Sequence, residues 1–252
     1  MKPLAALVTC LALLLTGCGN ASTGPEDQPL VIFAAASLQG VFDEMSVEFT
    51  KSEAGQKYSV APIVYDGSQA LATQIVEGAD VDVIAFANQS SLEPVTAAGR
   101  SSGGTVFATN TLQIAVAPGN PKHVESLADL AKPGIATVLC APEVPCGKAS
   151  EKLLDDAGVQ VAPVSEETNV TSVVTRVRNG EADAGLVYQT DVAAAGNALT
   201  GVTPSNAAVA INRYPIAVAT RAPSPTAAQA FTTFVLSPAG RKILADYGFG
   251  LP

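Results

Sequence analysis

The chain predicts an α/β protein of two lobes joined by two crossing strands, and three observations carry the prediction. Short apolar runs alternate with amphipathic stretches from residue 29 onward, the pattern of strands connected through helices. The first part of the chain repeats one arrangement twice: strand, small residues, serine, helix. A Pro/Gly turn after "NTLQIAVA" opens a new region, and a late apolar run, "YPIAVAT", leads back to the first.

Taken in order, Val31–Phe33 reads as a buried strand. Leu38, Val41, Phe42, Met45 and Phe49 then follow helical spacing and mark one inward face. Ser37 stands where an N-cap belongs, so the ordinary reading is a cap. The sharper one is that its hydroxyl and the free amides face a negative charge. "YSVAPIVY" is a second strand. "DGSQALATQIVEG" is a helix that Ser68 can cap, with Leu71 and Ile75 inward and Gly78 past its end. "VDVIAFA" is a third strand. In the second region, Leu112–Ala117 is a strand, "SLADLA" a short helix and "GIATVLC" a strand. "GKASEKLLDDAG" is a helix with Leu153 and Leu154 inward. A further helix with Val170, Val173, Val174 and Val177 inward precedes the strand Ala184–Tyr188. The tail "AAQAFTTFVLSPAGRKILADYGF" supplies closing helices.

The N-terminus sets the compartment. Lys2 precedes an apolar run, Leu4–Leu15, that is too short to span a bilayer. It closes in Leu15-Thr16-Gly17-Cys18, which resembles a bacterial lipobox. The expectation is a signal peptide over 1–17, cleavage before Cys18 and lipidation of that cysteine. Residues 18–28, small and polar, then form a tether. The protein is placed outside the cytoplasmic membrane on a lipid anchor. With 14 Lys and Arg against 23 Asp and Glu, the formal charge is −9. That argues against nucleic acid and against anionic membrane surfaces as partners. It gives anions no long-range attraction either, so an anion site here must work through local dipoles.

Catalysis finds little support. "DGSQA" lacks the glycines of a nucleophile elbow, and "PEVPCGKA" lacks the first glycine and the final Ser/Thr of a phosphate-binding loop. His123, in the polar "PGNPKH", is the sole histidine. Asp155 and Asp156 read as a solvated helix face. No metal site or cofactor is expected. Cys140 and Cys146 remain after Cys10 leaves with the signal and Cys18 takes lipid. In an oxidising compartment this close pair is expected to bridge, the alternative being two reduced cysteines with one buried.

Binding fares better. Ser37 and Ser68 begin helices, Cys146-Gly147 leads into a third and Asn169-Val170 opens a fourth. Helix starts carry unsatisfied amides and partial positive charge, so several of them converging make an anion site without lysine or arginine.

The stretches "AAASL", "GSQALATQI", "ADVDVIAFA", "VPCGKAS", "GEADAGLVYQTD", "YPIAVA" and "FVLSPAGRKIL" resemble, in order, the periplasmic molybdate-binding proteins of molybdate/tungstate ABC importers. The resemblance covers residues 29–252. It implies a type II periplasmic-binding-protein fold with the ligand cleft between the lobes. The first lobe would take 29–110 and 212–252, the second 111–211. It implies molybdate or tungstate as ligand, a cognate membrane permease as partner, and a monomer. It also implies donors: the hydroxyls and amides of Ser37 and Ser68, the backbone amides of Cys146 and Val170, and the hydroxyl of Tyr188. Cys146 stands where the family has alanine, and an amide donor survives that change. The only metal would be the centre of the bound oxyanion. Asp66 is the awkward neighbour, since facing the ligand it would repel a dianion or take a proton from hydrogen phosphate; as a turn residue it is expected to point to solvent or cap the turn. The alternatives are the same fold binding sulfate, thiosulfate or phosphate, and a surface lipoprotein that binds a protein partner.

Overall fold

The computed structural model describes residues 28–252; the expected signal peptide, Cys18 and all but the last residue of the expected tether lie outside them. Two five-stranded mixed sheets organise the described chain. The first contains β1 (Ile32–Ala35), β2 (Val64–Asp66), β3 (Val83–Ala85), β4 (Thr105–Asn110) and β10 (Asn212–Val218), in the order β2-β1-β3-β10-β4. The second contains β5 (Leu112–Val116), β6 (Thr137–Cys140), β7 (Ser165–Glu167), β8 (Ala184–Tyr188) and β9 (Thr200–Val202), in the order β7-β6-β8-β5-β9.

The two sheets follow one plan. In the first, β1 pairs in parallel with β2 and β3, and β10 runs antiparallel to β3 and β4. In the second, β6 pairs in parallel with β7 and β8, and β5 runs antiparallel to β8 and β9. β4 passes into β5 at Thr111, and the chain returns to the first sheet at Asn212. Each crossing thus delivers the antiparallel strand of the sheet it enters.

Helices cover both faces, which is why β1, β3 and β8 are buried along their whole length. α1 (Gln39–Lys51) packs Val41, Phe42, Met45 and Phe49 onto one face of the first sheet. α7 (Pro225–Leu236) and α8 (Pro238–Asp246) share that face through Phe231, Val235 and Leu244. α2 (Ser68–Val76) and α3 (Gln89–Ala97) cover the other with Leu71, Ile75, Leu92 and Val95. α4 (Pro145–Ala157), α5 (Val170–Arg178) and α6 (Gln189–Ala195) surround the second sheet, where Leu153, Val173 and Val177 join a separate core. Among the described residues no helix is long and apolar enough to cross a membrane.

Several expectations need correction. Ser37 does not cap α1: it lies within a 3-10 turn, Ala36–Leu38, and no side chain caps that helix. Ser68 is the first residue of α2, whose cap position belongs to Gly67. The second strand shrinks to Val64–Asp66, preceded by an isolated bridge between Leu30 and Val60, because Pro62 has no amide to give a ladder. The third helix starts at Pro145, two residues early, since proline suits a first helical position. Asn169 does cap α5, accepting from the Ser172 amide at 3.0 Å.

Candidate functional site

Parallel strands of an open α/β sheet bind ligands beyond their carboxyl ends. Here the carboxyl ends of β1, β2 and β3 face those of β6 and β8 and the turn after β7. Between them lies a small cavity lined by Ala35–Ser37, Asp66–Ser68, Ala87, Val144–Cys146, Asn169, Val170 and Tyr188. It leaves room for a guest of a few atoms and not for a drug-sized ligand. All five residues expected to hold an anion, Ser37, Ser68, Cys146, Val170 and Tyr188, line this one space.

Each comes with a local reason. The 3-10 turn that follows β1 leaves the Ser37 hydroxyl over the cavity, and Ala35 and Ala36 are small enough to leave room beside it. In α2, the Ala70 and Leu71 amides both donate to Gly67 O, so the Ser68 and Gln69 amides precede the first intrahelical bonds. In α4, Pro145 has no amide, which makes Cys146 the first donor of that helix. In α5, Asn169 satisfies Ser172, and the Val170 and Thr171 amides precede it. Tyr188 ends β8 and is 1% exposed. Burial above all pushes its pKa well above that of an ordinary phenol, so it keeps its proton as a donor.

Cys140, at the end of β6, and Cys146 form a disulfide. It ties the first turn of α4 to the strand beside it. Gly147 is required in the same place, because a side chain there would run into the Ala141 carbonyl of the bridged loop.

Among the described residues no lysine, arginine or histidine lines the cavity, and Asp66 is its one charged residue. Of the two expectations for Asp66, solvent or the turn, its hydrogen bonds match the turn. Its Oδ1 accepts from the Gly67 amide at 2.7 Å and from Asn169 Nδ2, in the opposite lobe, at 3.2 Å. Asn169 therefore caps α5 with its oxygen and reaches across the cleft with its nitrogen. Next to it, Gln69 Nε2 donates to Thr168 O at 2.9 Å. Lys148 Nζ donates to Ser90 Oγ at 3.3 Å further out, and Gln189 Nε2 to Gly248 O at 2.9 Å on the far side. The lobes thus meet on both sides of the cavity.

Sequence reasoning missed the layer behind the site. Ser68 Oγ accepts from the Ala87 amide at 3.0 Å. Tyr188 Oη accepts from Asn212 Nδ2 at 2.8 Å, and that nitrogen also donates to Ala87 O at 3.0 Å. Ser37 Oγ lies 3.1 Å from Tyr214 Oη, whose ring is held edge-on by Phe107, Phe249 and Tyr188. The one available signal was the polar Asn212 just before the apolar run that leads back to the first sheet. Asp191, beneath Tyr188, accepts from the Tyr188 amide at 2.9 Å, and burial raises its pKa to about 7. The predicted lipidation site Cys18 lies outside the described residues.

Comparison with known proteins sharpens the picture. The model of the bacterial extracellular solute-binding protein family matches residues 30–250. The molybdate-binding protein ModA of Mycobacterium tuberculosis strain H37Rv is 42% identical over 246 residues, covering 94% of this chain and 93% of its own. The periplasmic molybdate-binding protein of Azotobacter vinelandii superposes with a TM-score of 0.76 at 21% identity, over 88% of this chain and 99% of its own. The sulfate-binding protein SubI of Mycobacterium tuberculosis H37Rv also reaches 0.76, at 20% identity, over 88% and 86%. At those two identities the likeness speaks for the fold.

Proposed function

The chain belongs to the bacterial extracellular solute-binding proteins, and from that premise we propose that it captures molybdate or tungstate between its lobes and delivers it to an ABC importer. It is a binding protein, not an enzyme, and the oxyanion is its cargo.

One observation carries the choice of ligand class. Donor groups from both lobes converge on a small cavity that no basic residue lines. A fully deprotonated tetrahedral oxyanion only accepts hydrogen bonds, so its best site offers only donors. Amides at helix starts and hydroxyls supply them, and hydrogen bonds to an ionised acceptor are roughly twice as strong as neutral ones. Asp66, held by Gly67 and Asn169, is the exception that keeps the site from welcoming every anion. Capture follows from the division of labour: Ser37 and Ser68 belong to one lobe, Cys146, Val170 and Tyr188 to the other. A ligand that all five contact holds the cleft shut. We assign residues 29–110 and 212–252 to the first lobe and 111–211 to the second.

The fold is shared with a sulfate-binding protein, which keeps sulfate, thiosulfate and phosphate as the second reading. A melting-temperature series with each oxyanion tests the assignment, since a ligand that binds only the folded state stabilises it in proportion to the logarithm of concentration over Kd. Molybdate and tungstate should raise the melting temperature most. No shift with any oxyanion would favour a lipoprotein that binds a protein partner.

Anchoring rests on Leu15-Thr16-Gly17-Cys18. We place the protein outside the cytoplasmic membrane as a lipid-anchored monomer. Cys18→Ser should then leave the membrane fraction or remain unprocessed, and wild-type fractionation would remove the anchor from the account.

A further inference from the structure

A hydroxyl can give or take a hydrogen bond, so three hydroxyls around a cavity do not by themselves make a ring of donors. What fixes their direction is the group behind each one. Ser68 Oγ takes a hydrogen from the Ala87 amide, which can only donate; the Ser68 proton is thereby free to turn into the cavity. Tyr188 Oη takes a hydrogen from Asn212 Nδ2. The orientation of that side-chain amide is pinned by its second bond, because Ala87 O can only accept and so must face the nitrogen. Asn212 is 7% exposed, so water offers it few alternatives. The Ser37–Tyr214 pair differs, since either oxygen can be the donor.

We propose that Asn212 is a positioning residue that sets the polarity of the Tyr188 hydroxyl and thereby favours fully deprotonated oxyanions over protonated ones. The proposal rests on the oxyanion reading above. Ala87 is the hub: its amide serves Ser68 of the first lobe, and its carbonyl holds the Asn212 group that serves Tyr188 of the second. Asn212 opens β10, where the chain re-enters the first sheet, and pairs with Asn110 beside the other crossing. Hydroxyl polarity is thus set by the strand on which the two lobes hinge. Asn212 leaves Tyr188 only its proton to offer, to the ligand or to the neighbouring Tyr214 hydroxyl. With Ser68 donating as well, a ligand carrying its own proton finds an ambivalent partner in Ser37, or in the occupied carboxylate of Asp66.

The test is a double-mutant cycle read by calorimetry with molybdate and with inorganic phosphate at neutral pH. Asn212→Leu keeps the bulk and removes the donor; it should weaken molybdate by about five- to tenfold, the size of one lost neutral hydrogen bond. Asn212→Asp, nearly isosteric, turns the donor into an acceptor that competes with the ligand for the Tyr188 proton. It should weaken molybdate by about a hundredfold and lower the molybdate-to-phosphate preference. In a Tyr188→Phe background neither substitution should add more than about a twofold loss, because additivity fails when one residue acts through another. Melting curves report whether each variant folds, and the Asp variant serves if the Leu variant does not. Full additivity with Tyr188→Phe, or a lowered melting temperature with affinity and preference unchanged, would overturn the proposal while leaving the oxyanion reading intact. A wild-type protein that binds no oxyanion would remove both.

Discussion

Gly67→Ala should separate ligand capture from folding. Gly67 is buried at the entry to α2, and its φ of −59° and ψ of 134° are open to alanine without backbone strain. Loss of glycine freedom in the unfolded chain would stabilise the free protein by about 0.4–1 kcal/mol. The obstacle lies across the cleft. A Cβ at residue 67 would meet the Thr168 carbonyl oxygen of the other lobe deep inside van der Waals contact, and also the Gln69 side-chain amide of its own lobe, whose flexible end can swing aside. The lobes would have to part there by on the order of 1 Å to restore ordinary contact distances of about 3.5 Å. Such a shift stretches the Gln69–Thr168 bond of 2.9 Å and the Asn169–Asp66 bond of 3.2 Å out of range. It also withdraws the Val170 amide, two residues beyond Thr168, from an anion seated in the first lobe. A hydrogen bond to a charged group contributes roughly 1.5–3 kcal/mol, so affinity should fall by about ten- to a hundredfold. Calorimetry gives the affinity, and melting curves with and without molybdate give the split. The ligand-free melting temperature should hold or rise while the ligand-induced shift shrinks. Wild-type affinity in the variant would refute the claim that the lobes close on the ligand at this contact.

Three further outcomes follow from the same geometry. Ser68→Ala removes a donor from the cavity and leaves the Ala87 amide without its partner, so molybdate binding should weaken by about ten- to a hundredfold on calorimetry; Ser37→Ala should act in the same direction. Cys140→Ser with Cys146→Ser should cost about 2 kcal/mol in denaturant unfolding by the chain-entropy model, and thiol titration of the unreduced wild type should find neither cysteine free. Asp191 gains a proton on folding wherever the pH lies between its ordinary value and about 7, so its contribution makes the protein less stable as pH rises from about 4 to 7. Asp191→Asn keeps an acceptor for the Tyr188 amide, and should flatten that part of the melting-temperature profile relative to wild type.

What could be read from the sequence was whatever a single stretch encodes. The stripe from Leu38 to Phe49 gave α1 because one helix face meets one core. The strand–helix turns pointed to Ser37, Ser68, Cys146 and Val170, because each turn carries its own opening; Tyr188 and the donor roles came only with the family resemblance. α3, β4, β7, α6 and β9 escaped notice: α3 contains Pro94, β4 emerges from the glycine- and serine-rich Ser101–Gly104, and β7, α6 and β9 are short. The serine caps were misread because a serine before a helix looks the same whether its hydroxyl turns to the helix or, as Ser68 does, accepts from a strand end 19 residues away. Asn212 and Tyr188 are 24 residues apart and meet only because the chain returns to the first sheet beside the end of β8. Contacts of that kind depend on the assembled topology, and no local pattern announces them.

The central claim is that affinity comes from counted donors in a cavity without fixed positive charge, and competition calorimetry at neutral pH tests it most directly. Hydrogen phosphate brings a proton to a site built of donors, and sulfate, being smaller, leaves some of its bonds long. Each weakened bond forfeits about 1 kcal/mol or more, so several together amount to orders of magnitude. Molybdate and tungstate should bind far more tightly than sulfate, with phosphate weakest. Sulfate or phosphate binding as tightly as molybdate would contradict the account.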